Sequence, residues 1–549
     1  MTAPTAPMAP TAPMAGRARW LGAALAALVT VLVLVNQRGV GIARDETVYM
    51  AAGDRYADWW VRALTFRSHA TIAQTFGGAL GGEGNPEHPP LVKLASGLAH
   101  RWVPFVDELT AYRLPSAISH GVCAYLIFAM SLELWGLAEA VLALLCFALL
   151  PRALFHAGLD CFDAPAMTLW FATIFAYWCG LDGRKWPWQL GVAWGLALAT
   201  KHTALLLPFA IAPHYAFVAW RARGDHGAYW RALIFHRPRL ALSMIVVAPL
   251  VLLALWPWLW LAPIAHVRDW LEFHMHHVHY NFEYLGENWN APRFPWHVAI
   301  VTTLFTVPAA TLVAAAIGAG TGIARAARRE PAKDAARAPG LLLALSAGAS
   351  LGPFLLGTMP IFGAEKHWMP ILPSICIAAG VGAAWAARRA ARAFERAHAE
   401  KIALGVVGGA LALALASEVA TAEPYALTWY SALAGEAPGG ADLGMNRQFW
   451  GVSARGVLPE LAVLPPGAVY THDASPAWGW YQRLGLLPRG YPDAGHEGAG
   501  IAASAYAFVV HEKHFNRHDY MIWSAYGTVQ PIFVLRAEGV PIVSLYRRR

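Results

Sequence analysis

The sequence predicts an all-α polytopic membrane bundle with a small α/β domain at its C-terminal end. Three observations predict this fold class: the composition, a series of long apolar runs, and an uneven distribution of Lys and Arg between alternate loops. Of 549 residues, 57% are hydrophobic and only 14% are charged, whereas a soluble domain carries about 25% charged residues. So few charges could not cover the surface of a soluble globule of this size. The composition therefore excludes a soluble enzyme, a disordered protein and a secreted disulfide scaffold.

The apolar runs predict about eleven transmembrane helices. The first run follows Arg17 and Arg19 and lacks a clear small-residue cleavage site after it, so we interpret it as an uncleaved span. Several runs are shorter than the ~20 residues of a straight span, and 137–151 and 187–200 are the weakest candidates. The predicted spans centre on 20–35, 114–132, 137–151, 164–180, 187–200, 203–220, 240–262, 297–318, 341–358, 368–387 and 402–421.

The loop charges predict the orientation of the bundle. With a cytoplasmic N-terminus, the six inner segments contain 19 Lys and Arg residues, whereas the four short outer loops contain five. This is the positive-inside asymmetry of membrane proteins. The net charge of +8 is then explained by helix orientation, and no nucleic-acid partner is predicted.

Three regions follow from this topology. Residues 1–19, which begin with a low-complexity Ala/Thr/Pro stretch, are predicted to be a disordered cytoplasmic N-terminus. Residues 20–421 form the membrane domain, with a large first outer loop over 37–113. Residues 422–549 are predicted to be an extracytoplasmic domain, because short strand-like runs at 468–470, 507–510, 532–535 and 542–546 alternate with Gly/Pro turns.

Unusual polar residues collect in the predicted outer loops, each close to the end of a helix. Carboxylates and cations that converge at one membrane face, above an apolar bundle, suggest a site for a substrate that is part lipid and part polar. The candidate residues are Asp45, Glu46, Glu87, His88, Arg113, Arg152, Asp160, Lys201, Lys366 and His367.

The adjacent carboxylates Asp45 and Glu46 are predicted to have different roles. Neighbouring positions on a helix face about 100° apart, so one side chain can face a cleft while the other pairs with a nearby Arg. The alternative interpretation is a solvated turn after the first span. For Arg113, at the start of the second span, the alternative is a side chain that only snorkels to the interface.

Two further patterns concern the loops. Pro89 and Pro90 suit the first turn of a helix, and the residues after them predict an amphipathic helix on the outer leaflet with Glu87 and His88 at its start. Arg152, His156, Asp160 and Asp163 are spaced 4, 4 and 3 residues apart, so they would share a face if helical. Lys201 lies beside hydrocarbon, where a charge is costly and more often functional than at a surface.

The His-rich segment over residues 266–279 is open to two interpretations. His274/His277 and His276/His279 are i,i+3 pairs that could bind a metal, but no HExxH pattern is present. The tail sequence His511-Glu512-Lys513-His514 does not match the HExxH pattern either. We therefore favour a polar interfacial loop that touches substrate, and we predict no metal site.

The motifs resemble those of the GT-C superfamily of integral-membrane glycosyltransferases, in particular the protein O-mannosyltransferases and the aminoarabinose transferases of lipid A. The resemblance covers about residues 20–420. It is carried by Asp45-Glu46, the HPPLVK stretch from His88 to Lys93, Arg113-Leu114-Pro115, Leu159-Asp160, the GLALATK stretch ending at Lys201, and Lys366-His367.

The resemblance implies that a monosaccharide is transferred from a polyprenyl-phosphate carrier to an acceptor hydroxyl outside the membrane, with inversion. Asp45 is then the expected general base, because a hydroxyl nucleophile needs one, and Glu46 is grouped with it as catalytic. Cations would stabilise the departing phosphate; Arg113, Lys201 and Lys366 are the candidates, and the remaining candidate residues complete the substrate site. The acceptor (protein, lipid or glycan) is left open.

The expected partners are the lipid-linked donor and membrane lipids. No cofactor is obligatory, although two carboxylates near a phosphate could hold a divalent cation. The Ala/Arg/Gly-rich composition fits a bacterial inner membrane with a periplasmic site. The competing hypothesis is a transporter or flippase for a lipid-linked or polar substrate.

Overall fold

The computed structural model describes residues 12–78, 84–183, 187–328, 336–394 and 398–549, and it is predominantly helical. The membrane region contains α1 (Ala12–Asn36), α2 (Arg44–Leu64), α3 (Ile72–Phe76), α4 (Leu91–Trp102), α5 (Glu108–Leu134), α6 (Leu137–Ala148), α7 (Pro151–Ala157), α8 (Asp163–Gly180), α9 (Trp188–Leu198), α10 (Leu207–Arg221), α11 (Tyr229–Phe235), α12 (Pro238–Leu242), α13 (Ala248–Leu255), α14 (Trp258–Leu261), α15 (Pro263–Met275), α16 (Val298–Thr306), α17 (Ala309–Ala327), α18 (Pro339–Leu351), α19 (Leu372–Ala391) and α20 (Ala399–Ala422). The region after α20 contains α21 (Glu436–Asp442), α22 (Leu458–Ala462), α23 (Ser475–Arg483), α24 (Gly498–Ala503) and α25 (Asn516–Tyr526).

The predicted class, a polytopic membrane bundle, is confirmed. Within the described ranges, eight helical segments are long and apolar enough to cross a membrane, and each overlaps one of the eleven predicted runs. The predicted run 297–318 is wrong in its bounds, because the chain breaks between α16 and α17 at Pro308 and the span is Ala309–Ala327. The run at 137–151 corresponds to α6 and α7, a pair bent by 70° that would make a ninth span. The runs at 164–180 and 187–200 form α8 and α9 but fall outside this set. With 11 residues, α9 is only about 16 Å long.

The N-terminal end of the bundle differs from the prediction. Residues 1–11 lie outside the described residues, but the predicted disorder of residues 1–19 does not hold from Ala12 onwards, where α1 begins. A physical reason is that Ala and Met favour helix and that extending a formed helix is far easier than nucleating one. The first span thereby starts eight residues before Trp20.

The region after α20 forms the predicted mixed α/β unit. Its strands are β3 (Val469–Tyr470), β4 (Tyr506–Val510), β5 (Phe533–Ala537) and β6 (Val540–Arg547), which follow a two-stranded hairpin, β1 (Phe282–Tyr284) and β2 (Glu287–Trp289), in the preceding region. The sheet order is β3-β4-β6-β5, with β3 and β4 parallel and the other pairs antiparallel. All four predicted strand-like runs are strands in this sheet.

The first outer loop is built around the packing of α2 on α4. Gly53 and Gly97 allow the two backbones to touch, since a Cβ on Gly97 would lie 2.0 Å from the Gly53 carbonyl oxygen. The predicted helix after Pro89 and Pro90 is present as α4. This contact holds the first turn of α2, which carries the acidic pair, against the loop that precedes α4.

Arg152, His156, Asp160 and Asp163, whose spacing would place them on one face of a helix, do not lie on a common helical face. The helix α7 ends at Ala157, and α8 begins only at Asp163, so the intervening residues form a turn. Gly158 is the residue directly after α7, and glycine at a helix end is a common stop signal. Arg152 and His156 consequently point to a different partner from Asp160 and from Asp163.

Candidate active site

Glu46 and Arg113 form a buried, bidentate ion pair at the centre of the polar cluster. The Arg113 Nε and Nη2 atoms each donate to a Glu46 carboxylate oxygen at 2.8 Å, and the two side chains are 0% and 1% exposed. Glu46 also accepts hydrogen bonds from the backbone amides of Ala43 and Asp160, both at 2.7 Å. All of its accessible acceptor positions are therefore used.

The remaining donors of Arg113 are equally occupied. They reach the backbone carbonyls of Gln37, Val40 and Gly41 at 3.4, 3.3 and 2.6 Å. Among the described atoms, every donor group of this guanidinium has a protein partner, so binding a phosphate would require breaking the pair. The expected catalytic role of Glu46 and the expected phosphate contact of Arg113 do not fit this geometry. Both residues brace the chain that carries Asp45.

Asp45 projects away from this pair. Its side chain is 31% exposed, and its Oδ1 atom lies 3.8 Å from the Nε atom of Arg44. Within the described part of the chain, its carboxylate accepts no hydrogen bond. The two side chains thus face different surroundings, with Glu46 locked in a buried ion pair and Asp45 left accessible.

Lys366 provides a buried ammonium group whose charge interacts with that of Asp45. It lies in a 3-10 turn (Ala364–His367) and places its Nζ atom 4.1 Å from the centre of the Trp450 ring. Burial lowers the pKa of Lys366 below its ordinary value, while the charges of Asp45 and Asp163 oppose that shift. No carboxylate of the described residues pairs directly with this ammonium, so it is available to an anion.

Lys201, the other lysine beside hydrocarbon, is already paired. Its Nζ atom donates to Asp163 at 2.6 Å, and both side chains are buried. Asp163 begins α8, so this ion pair fastens the turn before α10 to the start of α8.

Arg152 anchors the turn that carries Lys366. Its Nη1 atom contacts both oxygens of Glu365, at 3.1 and 3.2 Å, and His156 lies 3.4 Å from the same carboxylate. Burial would raise the pKa of Glu365, but the charge of Arg152 and the hydrogen bond from His156 lower it to about 2. Arg152, which was expected to bind substrate, instead holds Glu365 and thereby fixes the position of the adjacent Lys366.

Lys93 holds the loop before α4 in place. Its Nζ atom donates to the Asn85 carbonyl, the Asn85 side chain and the His88 carbonyl, at 2.9, 2.8 and 2.8 Å. Burial lowers the pKa of Lys93 to about 7, with Glu87 acting in the opposite sense. Glu87 accepts from Asn85 at 2.7 Å and is buried. Lys93, the last residue of the HPPLVK motif, therefore has a structural role.

Asp160 lies behind the acidic pair and out of reach of a substrate. It is 0% exposed, and one carboxylate oxygen accepts a hydrogen bond from Ser96. Burial raises its pKa well above the ordinary value, and the nearby charge of Glu46 adds to that effect. The structure therefore assigns Asp160 to the packing of the first loop, rather than to the expected substrate contact.

Aromatic and imidazole rings surround the Asp45–Lys366 region. His88 lies 5.0 Å from Phe162 and 5.6 Å from His274 between ring centres, and His274 stacks on His202 at 3.7 Å. His367 contacts the Phe362 carbonyl at 2.7 Å. The His-rich segment thus touches the site, as expected of a substrate-facing loop. The described residues contain no group of three or more His, Cys, Asp or Glu side chains arranged to hold a metal ion.

A cavity of about 380 Å³ lies between the bundle and the C-terminal sheet. The bundle side contributes Lys366 and Arg44, whose Nε atom lies 3.8 Å from Asp45. The other residues that line the cavity are Tyr280, Asn281, Phe362, Gly363, Asn446, Phe449, Trp450, Tyr470, His472, Asp473, Pro476, His496, Glu497, Glu512, His514, Phe515 and His518.

The contribution of the C-terminal region to this cavity is not predicted by the sequence motifs. Arg44 donates to Asp473 at 3.1 Å, an ion pair that joins α2 to the tail across more than 400 residues. The one available signal was the charged His511–His514 stretch, which was compared only with a metal-binding pattern.

Two solved structures share the fold of this chain. ArnT from Cupriavidus metallidurans in the apo state aligns over 96% of this chain and 97% of its own, at 14% identity and a TM-score of 0.50. The apo oligosaccharyltransferase of Archaeoglobus fulgidus aligns over 93% of this chain and 72% of its own, at 13% identity and a TM-score of 0.50. The expected fold is therefore confirmed.

Sequence comparisons point to more particular relatives. Residues 87–259 match the family described as dolichyl-phosphate-mannose-protein mannosyltransferase. Undecaprenyl phosphate-alpha-4-amino-4-deoxy-L-arabinose arabinosyl transferase 1 of Pseudomonas fluorescens is 30% identical over 222 residues, and a second such transferase of that species is 28% identical over 221 residues. Each alignment covers 38% of this chain and about a third of the relative, 35% and 34% respectively.

Removal of Arg113 is predicted to destabilise the protein strongly. In an Arg113→Leu variant, Glu46 stays buried without its partner, which typically costs about 3–5 kcal/mol. The free energy of unfolding in detergent is the measurement. The matched control is Arg101→Leu, because Arg101 forms an exposed pair with Asp58 at 3.3 Å, and such pairs contribute about 1 kcal/mol or less. Equal, small losses in both variants would contradict the bracing role.

Proposed function

We propose that this protein is a glycosyltransferase that transfers a monosaccharide from a polyprenyl-phosphate carrier to an acceptor hydroxyl. The observation that carries the proposal is an accessible carboxylate, Asp45, whose charge acts on the buried ammonium group of Lys366, while no carboxylate of the described residues pairs with that ammonium. The first is suited to accept a proton and the second to bind a phosphate. The names of the similar arabinosyl transferases, which include an undecaprenyl-phosphate donor, support the same substrate class.

The reaction follows from these two groups. Asp45 accepts the proton of the acceptor hydroxyl as its oxygen forms a bond to the anomeric carbon of the sugar. The bond between that carbon and the phosphate oxygen breaks at the same time, and the polyprenyl phosphate leaves with the electron pair. Lys366 stabilises the negative charge that develops on this leaving group. A single displacement of this kind inverts the anomeric configuration.

The surroundings suit this chemistry. The buried Lys366 acts in a medium that weakly screens its charge. Lys366 supplies the cation that the phosphate needs, so no obligatory metal is part of the proposal. The transporter alternative gains no support from the matches described above.

We further propose that the site lies on the periplasmic side of a bacterial inner membrane. The basis is the distribution of Lys and Arg, which places the loops that carry Asp45 and Lys366 opposite the basic segments.

Replacement of Asp45 is predicted to abolish transfer without affecting the fold. Asp45→Asn removes the base but keeps the shape, so the rate should fall by about 10²–10⁴-fold. The assay is release of polyprenyl phosphate from a labelled polyprenyl-phosphate sugar by the protein in lipid nanodiscs. Asp58→Asn, on the exposed side of the same helix, is the matched control and should retain activity. Full activity of Asp45→Asn would refute the assignment.

Replacement of Lys366 is predicted to weaken the use of the donor. A lost charge-assisted contact is worth about 1.5–3 kcal/mol, so Lys366→Met should lower kcat/KM for the donor by about 10- to 100-fold. Lys201→Met serves as the comparison, since loss of its ion pair with Asp163 should lower thermal stability more than it alters donor kinetics. Assays with and without EDTA check that no divalent cation is obligatory. If Lys201→Met alone impaired donor use, the two roles would be reversed.

A further inference from the structure

The C-terminal wall of the cavity contains buried polar groups that the mechanism does not use. Glu512 is 6% exposed, and its Oε1 atom has no hydrogen-bond partner among the described residues, while Oε2 lies 3.5 Å from His514 Nδ1. His472 is 1% exposed, and neither of its ring nitrogens has a partner in the same set. Buried groups left without partners cost about 1–3 kcal/mol each. Both side chains line the cavity, so a ligand there could satisfy them.

The backbone at His472 is also unusual. Its φ angle is 58°, in the left-handed region that a non-glycine residue seldom adopts and that often marks functional sites. The ring is fixed edge-on against Phe515, with ring centres 3.7 Å apart. The imidazole is therefore presented to the cavity by rigid surroundings.

Burial disfavours the charged form of both groups. Burial raises the pKa of Glu512 well above its ordinary value, and the charges of Asp473 and Glu283 add to that effect. Burial, with smaller contributions from His518, His514 and His496, lowers the pKa of His472 to about 3. A protonated carboxyl group and a neutral imidazole each offer one donor and at least one acceptor. A hydroxyl group, which also donates and accepts, is their natural complement.

The charges of the cavity disfavour an anionic occupant on this side. Among the described lining residues, the cationic side chains are Arg44 and Lys366. Arg44 is held by Asp473, and Lys366 is assigned to the donor phosphate. Glu497, also in the lining, adds a negative charge. An acceptor with its own phosphate would meet Glu497 and, among the described lining residues, no cation that is not already engaged.

We propose that Glu512 and His472 form the acceptor subsite and select an uncharged, hydroxyl-rich acceptor, that is, a neutral sugar unit. Phe515 and Tyr280, which line the same cavity, provide the apolar ring faces against which a sugar can pack. The assignment of this ligand as the acceptor rests on the proposed function. Its chemical class rests on the cavity alone.

The test is direct ligand binding, which does not require turnover. Saturation-transfer NMR on the full chain in nanodiscs would compare methyl α-mannoside and methyl β-glucoside with mannose 6-phosphate and inorganic phosphate. We expect the methyl glycosides to bind more tightly than either phosphate probe. The dissociation constant of the glycosides should rise about tenfold in Glu512→Leu and in His472→Phe, since a lost hydrogen bond is worth about 1–1.5 kcal/mol.

The controls separate binding from folding. Glu460→Gln, at an exposed position of α22, should leave glycoside affinity unchanged, and Glu512→Gln, which keeps a donor and an acceptor, should recover most of it. Tighter binding of mannose 6-phosphate, absence of glycoside binding, or unchanged affinity in both cavity variants would overturn the proposal. If the wild-type protein binds glycosides but never cleaves a polyprenyl-phosphate sugar, the proposed function fails while this subsite stands.

Discussion

The ion pair between Glu46 and Arg113 is the interaction on which the geometry of the site depends. It joins the start of α2 to α5, and its hydrogen bonds also secure the backbone at Val40, Gly41, Ala43 and Asp160. A bidentate contact of this kind fixes orientation as well as distance. Because adjacent helical positions face different directions, locking Glu46 inward leaves Asp45 directed away from the pair and accessible.

The other charged groups also fall into two sets: those that hold segments of the fold in place and those that are available to a substrate. Lys201 is held by Asp163, Arg152 by Glu365, and Lys93 by the carbonyl groups of the loop before α4. These buried contacts rigidify the segments that contain Asp45 and Lys366. A site built for electrostatic stabilisation needs such rigidity, since its charges act without reorganising during the reaction.

Much of the fold could be predicted from the sequence, because the bilayer imposes a length and an apolarity on every span. The four strands of the tail were also visible as short runs between Gly and Pro. The division of the candidate residues was not predictable: whether Glu46 or Asp45 meets Arg113 depends on how α5 approaches α2. Likewise, Lys201 and Lys366 look alike beside apolar runs, and only the fold places Asp163 against the first.

Accessibility of the two adjacent carboxylates tests this account most directly. The intact protein in nanodiscs would be treated with a water-soluble carbodiimide and glycine ethyl ester, and the modified residues identified by peptide mass spectrometry. The account predicts that Asp45 is modified while Glu46 remains protected until the protein is denatured. Modification of Glu46 in the folded protein, or protection of Asp45 in the absence of substrate, would contradict it.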